Sequence, residues 1–475
     1  MQGVKRFSTT SFDEHSPTLR RELLLGNARP DFMQRSCSMP SDLKFVSDRY
    51  AAFAGQMAKA ANNGKLAKKV TAFLETGALV STRDTALTLA NQIVGAGMLA
   101  LPYAMLQSGM LFSILLVGVA ALMGFTMWLV GYLLELVDDV AESMGVPRAN
   151  RDWSLIGRLA FGERGRKLFI LFCMLDLYGA LVSFIVMIGV NLGILFPGVP
   201  LPVLISITGV TVFALLFAPE HYFAVFAMVG LLAQVMILSC LVITGVELEA
   251  SGASGADVRL LNAAGIPAAM GIAIFLFVAH SEAPLLYQMM EDRSSWRKAV
   301  ILGFIGSLGV FLLVAVLGYV FFGSATQQSF TANLGRDLEL HLLPGHFNAL
   351  FSCACAGLIV VKLTVSQPFT AAPIIAFVED SVGLRDSPVG AFLWKAIFMA
   401  FTTMMCIVAG NSLAPLMELL GCVVQNAICI ILPCLATLRL QGGELSARAR
   451  AALWVIVLTF SAYMLVGLEA ILVPH

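Results

Sequence analysis

Residues 88–109, which read TLANQIVGAGMLALPYAMLQSG, are the first of two interrupted apolar stretches that decide how this chain folds. The second stretch is residues 271–290, which read GIAIFLFVAHSEAPLLYQMM. Each has the length of a membrane-spanning helix, which needs about 20 apolar residues. Each also contains, near its middle, residues that destabilise a helix. The two stretches therefore predict membrane helices that unwind part-way along.

The residues that interrupt the two stretches differ in kind. In the first stretch, Gly95 and Gly97 flank one small residue, and each glycine costs a helix interior about 1 kcal/mol relative to alanine. In the second, the polar residues His280-Ser281-Glu282 precede Pro284. Proline removes a backbone donor and clashes with the preceding turn. Polar groups at this depth are unfavourable unless they line a cavity or find partners, so a polar space inside the protein is predicted.

The whole chain has the composition of a membrane protein. Of its 475 residues, 58% are hydrophobic and 13% are charged, whereas soluble domains carry about 25% charged residues. The formal net charge is zero, which gives no bias toward nucleic acid as a partner. Apolar runs of spanning length repeat along the chain and predict an all-α membrane protein with eleven transmembrane helices. The runs are 85–108, 110–136, 167–195, 201–218, 222–246, 266–290, 299–322, 348–377, 390–408, 412–438 and 452–472.

Polar segments precede and separate these runs. Residues 1–83 predict a largely disordered tail, and residues 84–475 predict the transmembrane domain. Basic residues are concentrated in alternate loops, and cytoplasmic loops carry an excess of Lys and Arg. We therefore expect the N-terminus in the cytoplasm and the C-terminus, residues 473–475, on the opposite face. The basic loops are 137–166, 291–298 and 439–451.

Interrupted helices at matching positions indicate an internal repeat. The two interrupted runs begin two five-helix blocks, residues 85–246 and 266–438, and residues 452–472 add one more helix. Such a pair is typical of inverted-repeat secondary transporters, in which the broken helices form the binding site. Free N–H groups at a helix end suit a carboxylate and free carbonyls suit an ammonium group, so we expect an amino acid as substrate. The predicted carboxylate site is Gly95, Ala96, Gly97 and Met98, and the predicted ammonium site is Val278, Ala279, His280 and Ser281.

Two motifs resemble those of one transporter family. Residues 89–102, LANQIVGAGMLALP, resemble the first-helix signature of the amino acid/auxin permease family, with most similarity to sodium-coupled neutral amino acid transporters and yeast vacuolar amino acid transporters. Residues 277–287 and the charged residues 291–294 resemble the family's sixth-helix motif and the loop after it. The resemblance implies a leucine-transporter-type inverted repeat (5+5) with broken helices one and six, alternating access, and coupling to sodium or protons. It also implies that Ser183, on the third span, faces the substrate.

Differences from the family bear on the coupling ion. Ala279 stands where the sixth-helix motif usually has cysteine, which we expect to change packing only. Residues 366–373, SQPFTAAP, stand where sodium-coupled members carry a threonine-rich run before a proline. The sequence also lacks the disulfide between outer loops that plasma-membrane relatives tend to have. The last two differences favour a proton-coupled carrier of a vacuolar, lysosomal or other internal membrane. The alternative is a sodium site at Asn91, Thr364 and Thr370, with Ser366 as a further ion-coupling residue.

Several polar side chains inside the spans have two interpretations each. Glu282 binds the coupled proton or a cationic substrate, or else it pairs with Lys362. His280 relays a proton, or else it holds the unwound turn in place. The amide oxygen of Asn91 is an ion ligand or an interhelical hydrogen-bond acceptor. Asp176 is expected to pair with a basic loop group.

The function predicted from these features is ion-coupled secondary transport of neutral L-amino acids by alternating access. The alternatives are a carrier of cationic amino acids and an amino acid sensor that signals through the N-terminal tail. We expect no enzyme, because adjacent side chains such as those of His280 and Ser281 point to different faces of a helix. We expect no cofactor other than sodium or a proton. A channel would need a repeated filter or a polar stripe, and the sequence has neither.

Overall fold

The computed structural model describes most of the chain from residue 80 onward. The described residues are 80–144, 146, 151–217, 223–250, 257–343, 346–384, 387–410 and 412–472. Of the tail predicted over residues 1–83, residues 1–79 lie outside them, as do the C-terminal residues 473–475. The first described helix begins at Thr82, before the predicted end of the tail. Within them the secondary structure is almost wholly helical, with only two isolated β-bridges.

The helices correspond in order to the apolar runs of the sequence. The first five are α1a (Thr82–Ile93), α1b (Leu101–Ser108), α2 (Phe112–Ser143), α3 (Trp153–Leu195), α4 (Leu201–Leu215) and α5 (Phe223–Ala250), with α1a and α1b the two parts of one interrupted helix. The others are α6a (Ile266–Leu276), α6b (Ala283–Met289), α7 (Trp296–Phe322), α8 (His346–Val382), α9 (Pro388–Ala409), α10 (413–441) and α11 (Ala447–Leu472). Short 3₁₀ turns lie inside the two interrupted helices. They are Ala96–Ala100 and His280–Glu282.

The structure supports fewer membrane spans than the sequence predicts. By length and composition, eight helices of the described part can cross a membrane, or nine when the bent pair α1a–α1b is one span. The helix Leu201–Leu215 is a shorter apolar helix of 15 residues, and the side chains of α5 are described only from residue 234. The protein is thus a multi-pass membrane protein, while eleven spans and the 5+5 repeat stay predictions.

Helix α3 begins earlier than its apolar run predicts. Residues 153–166 were expected in a basic inner loop, and the structure shows them to be helical. Asp152 caps the helix start by accepting hydrogen bonds from the N–H groups of Ser154 and Leu155 at 3.0 and 3.3 Å. The helix kinks at Gly162, where φ is 68°, a value that glycine adopts readily. A capped start and a glycine kink explain why hydropathy alone placed this boundary wrongly.

Close packing brings the two interrupted helices against their neighbours. A Cβ atom at Gly318 of α7 would meet the ring of Pro102 in α1b, and one at Gly421 of α10 would meet the carbonyl oxygen of Gly271 in α6a. Small residues let membrane helices approach closely, and the resulting van der Waals contact holds them together. These glycines therefore position both interrupted helices within the bundle.

The end of the bundle predicted to face the cytoplasm is closed by backbone and ionic contacts. The N–H of Val80 donates to the carbonyl of Met289 at 2.8 Å, and the N–H of Glu291 donates to the carbonyl of Val80 at 2.9 Å. Asp138 of α2 pairs with two arginines, one before α3 and one after α6b. They are Arg151 and Arg293, with the second contact at 2.8 Å. The segment before α1a is thus tied to the end of α6b.

Candidate functional site

The helix α1 is broken between Val94 and Ala100. Its two parts are bent by 47° relative to each other. The Gly95 backbone is extended (φ −99°, ψ −164°) and its N–H bonds the carbonyl of Ile93 at 2.7 Å. The carbonyl of Val94 accepts a hydrogen bond from the Gln234 side chain of α5. Within the predicted carboxylate site, the N–H of Met98 donates to the carbonyl of Gly95 at 3.4 Å.

The two glycines of this break have different surroundings. A Cβ atom at Gly95 would meet only the carbonyl oxygens of its own helix, at 3.6 and 3.9 Å. One at Gly97 would lie 3.0 Å from the Leu276 side chain and 3.3 Å from the Phe275 ring. Gly97 is therefore packed against α6a, whereas Gly95 faces open space. Met98 is buried.

The break in α6 is held from outside by two other helices. Ala279 departs from helical geometry (φ −153°, ψ 8°). The buried His280 ring places Nε2 3.0 Å from the Thr126 hydroxyl of α2, and the Trp153 indole N–H donates to the His280 carbonyl at 2.8 Å. These contacts support the interpretation of His280 as the residue that holds the unwound turn. Thr126 and Trp153 were not singled out by the sequence analysis.

Glu282 bonds across the site to the end of α1a. The Gln92 side-chain amide donates to its carboxylate, so pairing with Lys362 is wrong for this conformation. Among the described residues, no carboxylate lies within 4.0 Å of the Lys362 ammonium group. Gln92 lies inside the stretch that opened the sequence analysis. Its role was missed because local sequence does not show which helix an amide faces.

Asp176 of α3 also contacts the α6 turn. Its Oδ2 accepts a hydrogen bond from the Ser281 hydroxyl at 2.7 Å, and its Oδ1 accepts one from the Gln425 amide at 3.0 Å. Asp176 is only 5% exposed. The expectation that it pairs with a basic loop group is therefore wrong, because both described partners are uncharged and lie within the bundle. An acid inside an apolar span was the available signal.

The remaining predicted site residues are not joined to one another across helices by described hydrogen bonds. Ser183 is buried, and its hydroxyl has no hydrogen-bond partner among the residues described. In α8, the hydroxyl of Ser366 donates to the carbonyl of Leu363 at 2.8 Å, and that of Thr370 donates to the carbonyl of Ser366 at 3.3 Å. No described hydrogen bond joins these hydroxyls, or that of Thr364, to Asn91. The predicted sodium ligands are thus not brought together by direct contacts.

Comparison with known proteins identifies the family. Residues 79–473 match the family described as "Transmembrane amino acid transporter protein". The chain belongs to this family. It is a family of transporters and not of enzymes, which confirms both the resemblance noted in the sequence and the expectation that the chain is no enzyme.

Individual relatives are distant. The chain is similar to Amino acid transporter AVT1D of Arabidopsis thaliana, with 26% identity over 80% of this chain and 68% of that protein. It is also similar to AVT1E of the same plant, with 26% identity over 75% of this chain and 66% of that protein. Among solved structures, an Eremococcus coleocola manganese transporter has a TM-score of 0.47 and 14% identity over 90% of this chain and 87% of that chain.

Proposed function

We propose that this protein carries amino acids across a membrane by ion-coupled alternating access, with a leucine-transporter-type 5+5 repeat. One observation carries the proposal. The hydrogen bond between Gln92 and Glu282 joins the two helix breaks directly, and Gly97 packs against α6a beside them. Non-helical backbone at membrane depth is tolerated where it is buried in protein or lines a cavity, so adjacent breaks are the expected form of a transporter site.

The proposed substrate is a small or medium neutral L-amino acid. Its carboxylate binds the N–H groups of Ala96 and Gly97, at the break between α1a and α1b. The carbonyls of Ala279 and His280 already accept hydrogen bonds from the Glu282 N–H and the Trp153 indole. The ammonium group is therefore expected at the Val278 end of the α6 break. A substrate with a neutral side chain is favoured over one with a cationic side chain, because the Gln92 amide already donates a hydrogen bond to the Glu282 carboxylate.

The proposed coupling ion is a proton bound at Glu282. The described partner of the Glu282 carboxylate is the uncharged Gln92 amide. A carboxylate in a mostly apolar site is unfavourable without a paired charge, and loading a proton removes its charge. Sodium at Asn91 and the α8 hydroxyls is the less favoured candidate, since Ser366 and Thr370 bond their own helix. An internal membrane such as that of the vacuole or lysosome is the proposed location, with the N-terminus in the cytoplasm.

Uptake into proteoliposomes with separately imposed gradients tests this function. Full-length protein is reconstituted, and radiolabelled neutral amino acids are offered with a sodium gradient, a pH gradient or neither. Uptake driven by the pH gradient alone supports the proposal. Uptake that requires sodium overturns the proton assignment and returns attention to Asn91. Substrate binding without uptake under any gradient overturns the carrier function in favour of an amino acid sensor.

A further inference from the structure

Asp176 was not among the predicted site residues, but its hydrogen bonds connect three structural elements of the bundle. Through Ser281 it bonds the 3₁₀ turn of α6, and through Gln425 it bonds α10. Gln425 lies within a π-helical segment, Leu420–Ile431, and π-helical turns occur frequently at functional sites. The amide nitrogen of Gln425 makes the bond to Asp176, and its side-chain oxygen is buried without a partner among the described residues. Asp176 is thus the junction of α3, the broken helix and the irregular part of α10.

The charges around Asp176 do not compensate an ionised carboxylate. The described ionisable groups that interact with it include Glu282 of the α6 turn and the thiols of Cys173 and Cys429, which are neutral or negative. Neither described hydrogen-bond partner of Asp176 carries a charge. His280 of the α6 turn directs Nε2 to Thr126.

The lysines and acids on the other helices that pack against α3 make no described contact with Asp176. In α9, Lys395 pairs with Glu379 of α8 at 2.8 Å. The α10 acid Glu418 accepts a hydrogen bond from Gln107 at 2.8 Å. Within the described residues Lys362 of α8 has no carboxylate inside 4.0 Å, that of Asp176 included. A buried carboxylate that lacks a cationic partner is stabilised by binding a proton.

We infer that Asp176 is a second proton-binding group of the transport site, and that Ser281 conveys its protonation state to the substrate. This inference rests on the proposed proton-coupled transport. With Asp176 ionised, the Ser281 hydroxyl donates to Oδ2 and is not available to the substrate. When a proton binds Oδ2, the new O–H donates to the Ser281 oxygen. The hydroxyl hydrogen of Ser281 then turns away from Asp176 and into the α6 break, where it is available to an acceptor of the substrate.

This exchange of donor and acceptor links proton binding to substrate binding. Proton binding on Asp176 supplies one additional donor to the substrate, so the protonated protein binds the amino acid more tightly. By linkage, bound amino acid raises the affinity of Asp176 for the proton by the same factor. The Gln425 contact at Oδ1 is unaffected by a proton on Oδ2, because an amide donor suits both forms of the acid. Gln425 thereby keeps Asp176 oriented toward Ser281 in both states.

The test uses Asp176→Asn in full-length protein reconstituted with a pH-sensitive dye inside the vesicles. Substrate exchange at equal pH on both sides measures binding and movement, whereas accumulation and dye response under a pH gradient measure coupling. We expect Asp176→Asn to retain substrate exchange. The change in substrate affinity with pH should be about tenfold smaller in this variant than in the unmodified protein, within the usual range for two coupled sites. The ratio of protons to substrate should also fall. Asn191→Ala, a buried polar change on the same helix with a bond only to the Met187 carbonyl, is the matched control.

Further variants keep the inference falsifiable if Asp176→Asn does not fold. Asp176→Glu keeps a titratable carboxyl and should keep pH-driven accumulation. Ser281→Ala should leave the dye response present while flattening the pH dependence of substrate affinity. An Asp176→Asn protein with the pH profile and proton ratio of the unmodified protein would overturn the inference and leave the proposed transport intact. Absence of pH-driven uptake in the unmodified protein would instead be a failure of the proposed function.

Discussion

The two helix breaks are held in different ways, although each interrupts the first helix of a predicted five-helix block. The α6 turn is fixed by polar side chains from α1a, α2 and α3. These are Gln92, Thr126, Trp153 and Asp176. Among the described residues, the α1 break receives one side-chain hydrogen bond, from Gln234, and Gly97 packs against apolar side chains of α6a. The α6 break is thus held mainly by polar contacts, and the α1 break mainly by close packing.

This difference indicates a division of roles between the breaks. Non-helical backbone at membrane depth is unfavourable unless it is buried in protein or lines a cavity, so the α1 break is the proposed position of the substrate carboxylate. The α6 turn carries His280 and Glu282 and is joined to other helices by side-chain hydrogen bonds. We therefore expect substitutions at the α6 turn to affect stability and coupling, and those at Gly95 to affect substrate binding.

The largest effect is expected for His280→Ala, which removes the contact between the His280 ring and the Thr126 hydroxyl and leaves a cavity. Truncating a large buried side chain costs about 3 kcal/mol. We expect a lower midpoint of thermal unfolding in detergent, and a loss of uptake greater than about tenfold. His341→Ala is the matched control, since the His341 side chain is 73% exposed. An unchanged unfolding midpoint for His280→Ala would show that the α6 turn does not depend on this contact.

A second comparison sets Gly97→Leu against Gly95→Leu. At Gly97 the added side chain collides with Leu276 and Phe275, and overpacking costs about 2 kcal/mol, so both unfolding temperature and uptake should fall. At Gly95 the side chain enters open space and should block substrate binding while the unfolding temperature is kept. Ligand binding and thermal unfolding measured on both variants separate these outcomes. Normal substrate affinity in Gly95→Leu would contradict the placement of the substrate.

A third, smaller effect is expected for Glu282→Gln. Glutamine cannot bind a proton, so uptake measured between about pH 5 and pH 8 should lose its increase toward acid, by about fivefold at the lowest pH. The measurement is initial uptake rate against pH. Glu291→Gln, on the exposed loop after α6b, should keep the pH profile. If Glu282→Gln keeps it as well, Glu282 has no part in proton coupling.

The smallest effect is expected for Gln234→Ala, which removes the one side-chain hydrogen bond to the α1 break. Hydrogen bonds between membrane helices contribute about 0.6 kcal/mol on average, so uptake should fall by about threefold or less. Ser239→Ala on the same helix, whose hydroxyl bonds only its own helix, is the control. If Gln234→Ala reduced uptake more than His280→Ala does, the proposed division of roles between the two breaks would be wrong.

Local sequence was informative wherever the physical cause is local. Apolar length predicted the helices, and glycine and proline predicted both interruptions, because these residues act on the backbone within one turn. The motif of residues 89–102 indicated the family, and the match of residues 79–473 to that family confirmed it. The start of α3 was missed because helix capping by Asp152 does not show in hydropathy.

Only the tertiary structure decided which groups meet inside the bundle. Asp176 and Ser281 are 105 positions apart, His280 and Thr126 are 154 apart, and Glu282 and Gln92 are 190 apart. Helix rotation and packing determine such pairs, and a single sequence contains no record of rotation. The same cause separates Gly95 from Gly97, which look alike in sequence but face open space and α6a respectively.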